Sequence, residues 1–174
     1  MTEKEIIKLF SLMTLTWPNA ELFKGGVAKL TPTIQFWTSC LSDINYWIAQ
    51  QAIFHLCKEL TFPPTIADLR KESEAIVSDI NEQIDNAMHD IRAGEILYGT
   101  LEDYYKNLPS ESRIKTVIDV MGGPDRLVIT TKFNGQNDSK WNWKSFKLAY
   151  KKLLFQEANF ENKSKQPLLD TIKN

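Results

Sequence analysis

At 174 residues, 43% hydrophobic and 25% charged, the chain has the length and composition of one ordinary globular domain, or of one small domain with an appendage. It holds no run of about 18 apolar residues, which excludes a membrane span, and its opening Met-Thr-Glu-Lys-Glu lacks the basic region and apolar core of a secretory signal, so a cytoplasmic location is expected. The net charge of −1 conceals an imbalance: residues 140–174 carry eight lysines against three acids (+5), whereas residues 1–139 carry 13 basic and 19 acidic side chains (−6), a separation that steers an acidic partner or nucleic acid or else marks a solvated lysine face.

Thr2 with Glu5 forms a capping-box start, and Ile6, Leu9, Phe10, Met13 and Trp17 follow at helical spacing until Pro18. Residues 19–30, with Gly25-Gly26, predict a loop. Thr31-Pro32 predicts an N-cap followed by proline at the first helical position, opening a helix through Phe36, Trp37, Cys40 and Leu41. Ser42-Asp43 offers the cap of a third helix, Ile44 to about Leu60, apolar on more than one side and therefore central. Trp17, Trp37 and Trp47 supply the large side chains that a small core needs.

Phe62-Pro63-Pro64-Thr65-Ile66-Ala67-Asp68-Leu69-Arg70 then stops one helix and starts another. Each proline pushes the residue before it out of helical geometry, and Thr65 with Asp68 has the spacing of a reciprocal cap. This predicts a rigid elbow between two helical bodies. The helix leaving it carries Ile66, Leu69, Ser73, Ile76, Ile80, Ile84, Ala87 and Ile91 in a narrow stripe close to the coiled-coil period. The stripe wants a partner, either the C-terminal region folding back or a second molecule. Gly94 is the expected stop.

Further on, Thr100–Tyr105 predicts a short helix ending by Pro109, and Ser110 caps a helix bearing Ile114, Val117, Ile118 and Met121, ended by Gly122-Gly123-Pro124. Arg126–Phe133 fits a short helix or a strand, of which propensity alone favours strand, without an obvious pairing partner, and residues 134–139 predict a polar loop. Trp141, Trp143, Phe146, Ala149, Tyr150, Leu153 and Leu154 mark a last helix with one aromatic and one lysine-rich face, followed from about Asn159 by a polar tail. The expected fold is mainly α: an N-terminal helical bundle (1–70), a long projecting helix (65–93), a less regular helical region (95–158) and a tail (159–174).

Catalytic chemistry is missing from this pattern. Neither Gly25-Gly26 nor Gly122-Gly123 precedes the Gly-Lys-Ser/Thr of a P-loop, and no Gly-x-Gly-x-x-Gly follows a strand. Cys40 and Cys57 fit reduced core thiols. His55 and Cys57 point to different sides of a helix, and His89 is the only other histidine, so no metal site is expected. Asp79, Glu82, Asp85 and Asp90 lie on polar helix faces, where nothing raises a carboxyl pKa toward general-acid use. No enzyme activity and no cofactor are expected. Lys140, Trp141, Trp143, Lys144, Lys147, Lys151 and Lys152 interleave charge with aromatic rings, the composition of a single-strand platform. The spacing of Phe146, Tyr150 and Leu153 equally describes a core face with solvated lysines, and the acidic remainder disfavours strong DNA binding.

The order of helices in residues 1–75, and above all the Phe-Pro-Pro-Thr-Ile segment leading into a helix with Arg70, resembles the phage replicative-helicase loader/inhibitor family. Val117–Gly123 and Phe146–Lys151 are similar to helix-Gly-Gly and Phe-x-x-x-Tyr segments of small phage replication proteins, with Pro124 where an aromatic is usual. The resemblance implies a protein that binds a hexameric DnaB-type replicative helicase, of phage or host, holds it inactive and delivers it to an origin-bound initiator. By that resemblance, residues 140–174, with Lys140, Trp141, Trp143, Lys144, Lys147, Lys151 and Lys152, are the first candidate helicase contact. The elbow, with Phe62, Pro63, Pro64, Thr65 and Arg70, is a second surface, for the initiator. A nucleic-acid-binding replisome adaptor and a phage inhibitor of a different host protein are the alternatives, and the stripe on the long helix leaves self-association open.

Overall fold

The computed structural model describes residues 1–24, 27–133 and 136–164. The architecture is mainly α, with seven α-helices and one two-stranded hairpin among the described residues. The chain divides into two compact units between Asp79 and Ile80.

In the first unit, α1 (Glu3–Thr16) starts at the expected capping box: the Thr2 amide donates to Glu5 Oε2 (2.7 Å) and the Glu5 amide to Thr2 Oγ1 (3.4 Å). A 3₁₀ turn (Glu21–Phe23) leads toward α2 (Val27–Cys40), which begins earlier than Thr31-Pro32 suggests and holds Pro32 inside it. Leu30 packs on the core one turn before Ile34, so apolar burial extends the helix upstream. Pro32 there forfeits a single hydrogen bond near the helix start. Gly25-Gly26 lies outside the described residues. The cap of α3 (Tyr46–Glu59) is Asn45, whose Oδ1 accepts from the Trp47 amide (2.9 Å), and not Ser42-Asp43. The core joins Ile6, Leu9, Phe10, Met13 and Trp17 to Ile34, Trp37 and Leu41, to Ala49, Ala52, Ile53 and Leu56, and to Leu69 of α4 (Ile66–Tyr98). Phe10 meets Phe23 and Trp37 edge-on. Trp17 and Trp37 are buried, while Trp47 is half-buried.

The second unit is built on the other half of α4, which runs through Gly94 and ends before Gly99 (φ +84°). Gly94 does not stop the helix. The ring of Tyr104, from α5 (Leu101–Asn107), lies where a Cβ at position 94 would be, 2.2 Å from the ring's Cδ2. Thr100 caps α5 through the Asp103 amide (3.0 Å). The helix α6 (Arg113–Met121) ends on Gly122 in the left-handed region (φ +98°), and the amides of Gly122 and Gly123 satisfy the carbonyls of Asp119 and Ile118. A 3₁₀ turn (Pro124–Arg126) leads into β1 (Val128–Phe133), which pairs antiparallel with β2 (Gln136–Trp141), Val128 opposite Trp141 and Phe133 opposite Gln136. Residues 136–139 are therefore strand rather than loop, and they supply the partner that β1 lacked in the sequence. Asn134 and Gly135 lie outside the described residues. The last helix, α7 (Trp143–Ser164), continues past Asn159, and the remainder of the expected tail, residues 165–174, lies outside the described residues. Ile80, Ile84, Ala87 and Ile91 of α4 are buried with Tyr104, Val117, Ile118, Leu127, Phe146, Tyr150 and Leu154. From Ile80 onward the stripe is thus covered by the C-terminal part of the same chain. No helix among the described residues is long and apolar enough to cross a membrane.

Candidate functional site

The lysine-rich segment is anchored at its start by Asn142. Its amide donates to the Leu127 carbonyl (2.7 Å), its side-chain Nδ2 to the Arg126 carbonyl (3.2 Å), and its own carbonyl accepts from the Phe146 amide (3.1 Å). This ties the first turn of α7 to the base of the hairpin. Phe146, Tyr150 and Leu154 then point inward every fourth residue, and burial raises the Tyr150 phenol above its ordinary pKa.

The candidate residues divide by what they touch. Trp141 and Trp143 are stacked, with ring centroids 4.5 Å apart and planes 7° apart, and the Arg92 guanidinium lies over Trp143 at 5.1 Å. Parallel stacking uses one face of Trp143 and the cation the other, so Trp143 offers no free face to a base. Lys147 reaches Asp85 Oδ1 of α4 (3.1 Å), and Lys151 is half-buried. Lys140, Lys144 and Lys152 are exposed.

Lys144 and Lys152 share a helix face with Leu148, four residues from each, and Leu148 is 72% exposed. An apolar side chain this open between two cations is suited to meet a partner surface that is apolar at its centre and acidic at its edges. Leu148 was not among the residues expected from sequence. The available signal was its phase, two residues out of step with Phe146 and Tyr150.

The elbow is as expected in its local bonding. The Thr65 amide and hydroxyl both donate to Asp68 Oδ2 (2.9 and 2.7 Å), and the Asp68 amide donates to Thr65 Oγ1 (3.2 Å). These bonds hold the Asp68 carboxyl below the usual carboxylate range. Pro64 is buried, Pro63 half-buried, and Phe62 is 78% exposed.

Arg70 has a structural task. Its Nη1 donates to the Cys40 carbonyl at the end of α2 (2.6 Å) and to Asp43 Oδ1 (3.0 Å), and its Nη2 to Asp43 Oδ2 (2.8 Å). The bidentate pair lowers the Asp43 pKa and raises that of Arg70. The amino group of Met1 donates to the carbonyls of Leu41, Ser42 and Ile44 (2.9, 2.8 and 3.2 Å) in the same loop. The α2–α3 connection is therefore held by Arg70 and by the Met1 amino group, and Phe62 is an exposed apolar side chain of the elbow. Among the described residues, no group of three or more His, Cys, Asp or Glu side chains could hold a metal ion.

Residues 1–70 match the family model of the N-terminal domain of the phage gene 39 protein, a loader and inhibitor of the DnaB helicase. The match ends inside the first turns of α4 and spans less than half of the chain. No curated protein and no solved structure matches the chain.

Proposed function

We propose that this protein is a phage DNA-replication accessory factor that binds a hexameric DnaB-type replicative helicase, holds it inactive and delivers it to an origin-bound initiator. The observation that carries the reading is the match of residues 1–70 to the N-terminal domain of the gene 39 protein family. The matched residues lie within the first compact unit, Met1–Asp79, whose core holds Trp17 and Trp37.

The second unit, outside the match, supplies the helicase contact through Lys144, Leu148 and Lys152. Binding is stoichiometric: apolar burial of Leu148 gives affinity, while the lysines steer the approach to an acidic patch. The exposed Phe62 ring is the anchor for the initiator. Direct nucleic-acid contact is weak, because Trp143 is sandwiched and Lys147 is paired within the protein.

The test is co-elution of the protein with the phage or host helicase on size exclusion, with and without ATP. A Lys144→Glu, Lys152→Glu variant is expected to lose the complex while retaining its circular dichroism. Absence of a complex with both helicases under both conditions would refute the reading.

A further inference from the structure

The hairpin of the second unit has an open edge beside a charged cavity. The hydrogen bond from the Asn142 amide to the Leu127 carbonyl turns Leu127 toward the β2 side. In an antiparallel pair successive residues alternate, so the main-chain groups of Val128 and Thr130 face away from β2. No backbone bond from either residue to another element occurs among the described residues. Thr130 is exposed and Ile129 is 50% exposed. Neither position is proline, one of the usual protections of an edge.

Val128 and Thr130 also line a cavity of about 420 Å³, completed by Leu101 and Glu102 of α5 and by Pro124 and Asp125 of the 3₁₀ turn. Its apolar walls are Leu101, Pro124 and Val128, and two carboxylates stand among them. Glu102 lies within 3.4 Å of Lys106, one turn along α5, which neutralises part of that charge.

We propose that β1 receives an extended, basic peptide segment of a partner protein as a third strand. Main-chain bonds at Val128 and Thr130 would hold the segment, and one of its lysine or arginine side chains would lie in the cavity. The apolar walls fit the aliphatic stem of such a side chain and the carboxylates its charged head. A neutral or acidic side chain gains nothing from Glu102 and Asp125, so charge sets the specificity. This surface lies outside the family match and is independent of the α7 stripe, so its failure leaves the helicase reading untouched.

The test uses the full-length, isotope-labelled protein and two blocked heptapeptides of alternating threonine and valine, one with lysine at the centre and one with glutamate. The lysine peptide is expected to shift the amide resonances of Val128 and Thr130 and to bind at least about tenfold more tightly than the glutamate peptide. A Glu102→Gln, Asp125→Asn variant is expected to abolish that preference while keeping its fold. Unmoved Val128 and Thr130 amides at millimolar peptide would overturn the proposal. So would equal binding of the two peptides, or light scattering that shows the edge already paired with a second copy, with Thr130→Pro restoring the monomer.

Discussion

Replacing Gly94 by alanine isolates the packing of α5 on α4. In an exposed helix interior the change stabilises by roughly 0.5–1 kcal/mol, because alanine loses less backbone entropy. Here the new methyl would sit 2.2, 2.3 and 2.7 Å from Cδ2, Cε2 and Cγ of Tyr104, well inside the ~3.5–4 Å of carbon contacts. Tyr104 is only 9% exposed, so its ring cannot swing freely into solvent, and α5 must shift by more than an ångström. Overpacking of this kind costs about 1–3 kcal/mol. Subtracting the propensity gain leaves an expected net destabilisation of up to about 2.5 kcal/mol.

A double-mutant cycle isolates the contact between Gly94 and Tyr104. In a Tyr104→Ala background, itself destabilised by the lost ring, the clash is gone and Gly94→Ala should stabilise by roughly 0.5–1 kcal/mol. Urea unfolding of the four proteins, followed by circular dichroism, reads the change of sign. Stabilisation by Gly94→Ala in the wild-type background would refute the packing account.

Thr65→Ala removes the acceptor for the Asp68 amide and should cost about 1 kcal/mol, measured as a lower urea midpoint for the first unit. Acidification tests three carboxylates held below their ordinary range: Asp43 by Arg70, Asp68 by Thr65 and Glu5 by Thr2. Their folded pKa values lie below the unfolded ones, so their contribution is complete above about pH 4–5 and is lost as the pH falls through the folded values. Asp43→Asn with Asp68→Asn should therefore narrow the difference between urea midpoints at neutral and acid pH; an unchanged difference would contradict the assignment. Lys147→Glu faces Asp85 and should lower the thermal midpoint of the protein, whereas Lys144→Glu should leave it within a degree or so, since isolated surface charges contribute little.

What was legible in the sequence was local. Thr2 with Glu5, Thr65 with Asp68, and Gly122 all act within a few residues of themselves, and each does in the structure what its spacing implies. The inward face of α7 was legible for the same reason. Gly94 was not, because its role is set by Tyr104, a ring on the next helix. Asp43 looks like a helix cap in any linear reading, and only the fold brings Arg70 to it. Lys144 and Lys147 are indistinguishable in sequence, and Asp85, far upstream, separates them. The strand over residues 136–139 was hidden by polar composition, although Asn134-Gly135 is a two-residue hairpin signal between strands.

In the proposed function, this chain binds and restrains a replicative helicase. Titrating the protein into the hexameric phage or host helicase while recording complex mass by light scattering and ATP-dependent unwinding of forked DNA tests both halves at once. Under this function, complex formation and loss of unwinding rise together and saturate at a fixed stoichiometry. Unwinding that continues unchanged with the protein in excess, and no complex detected, would contradict it.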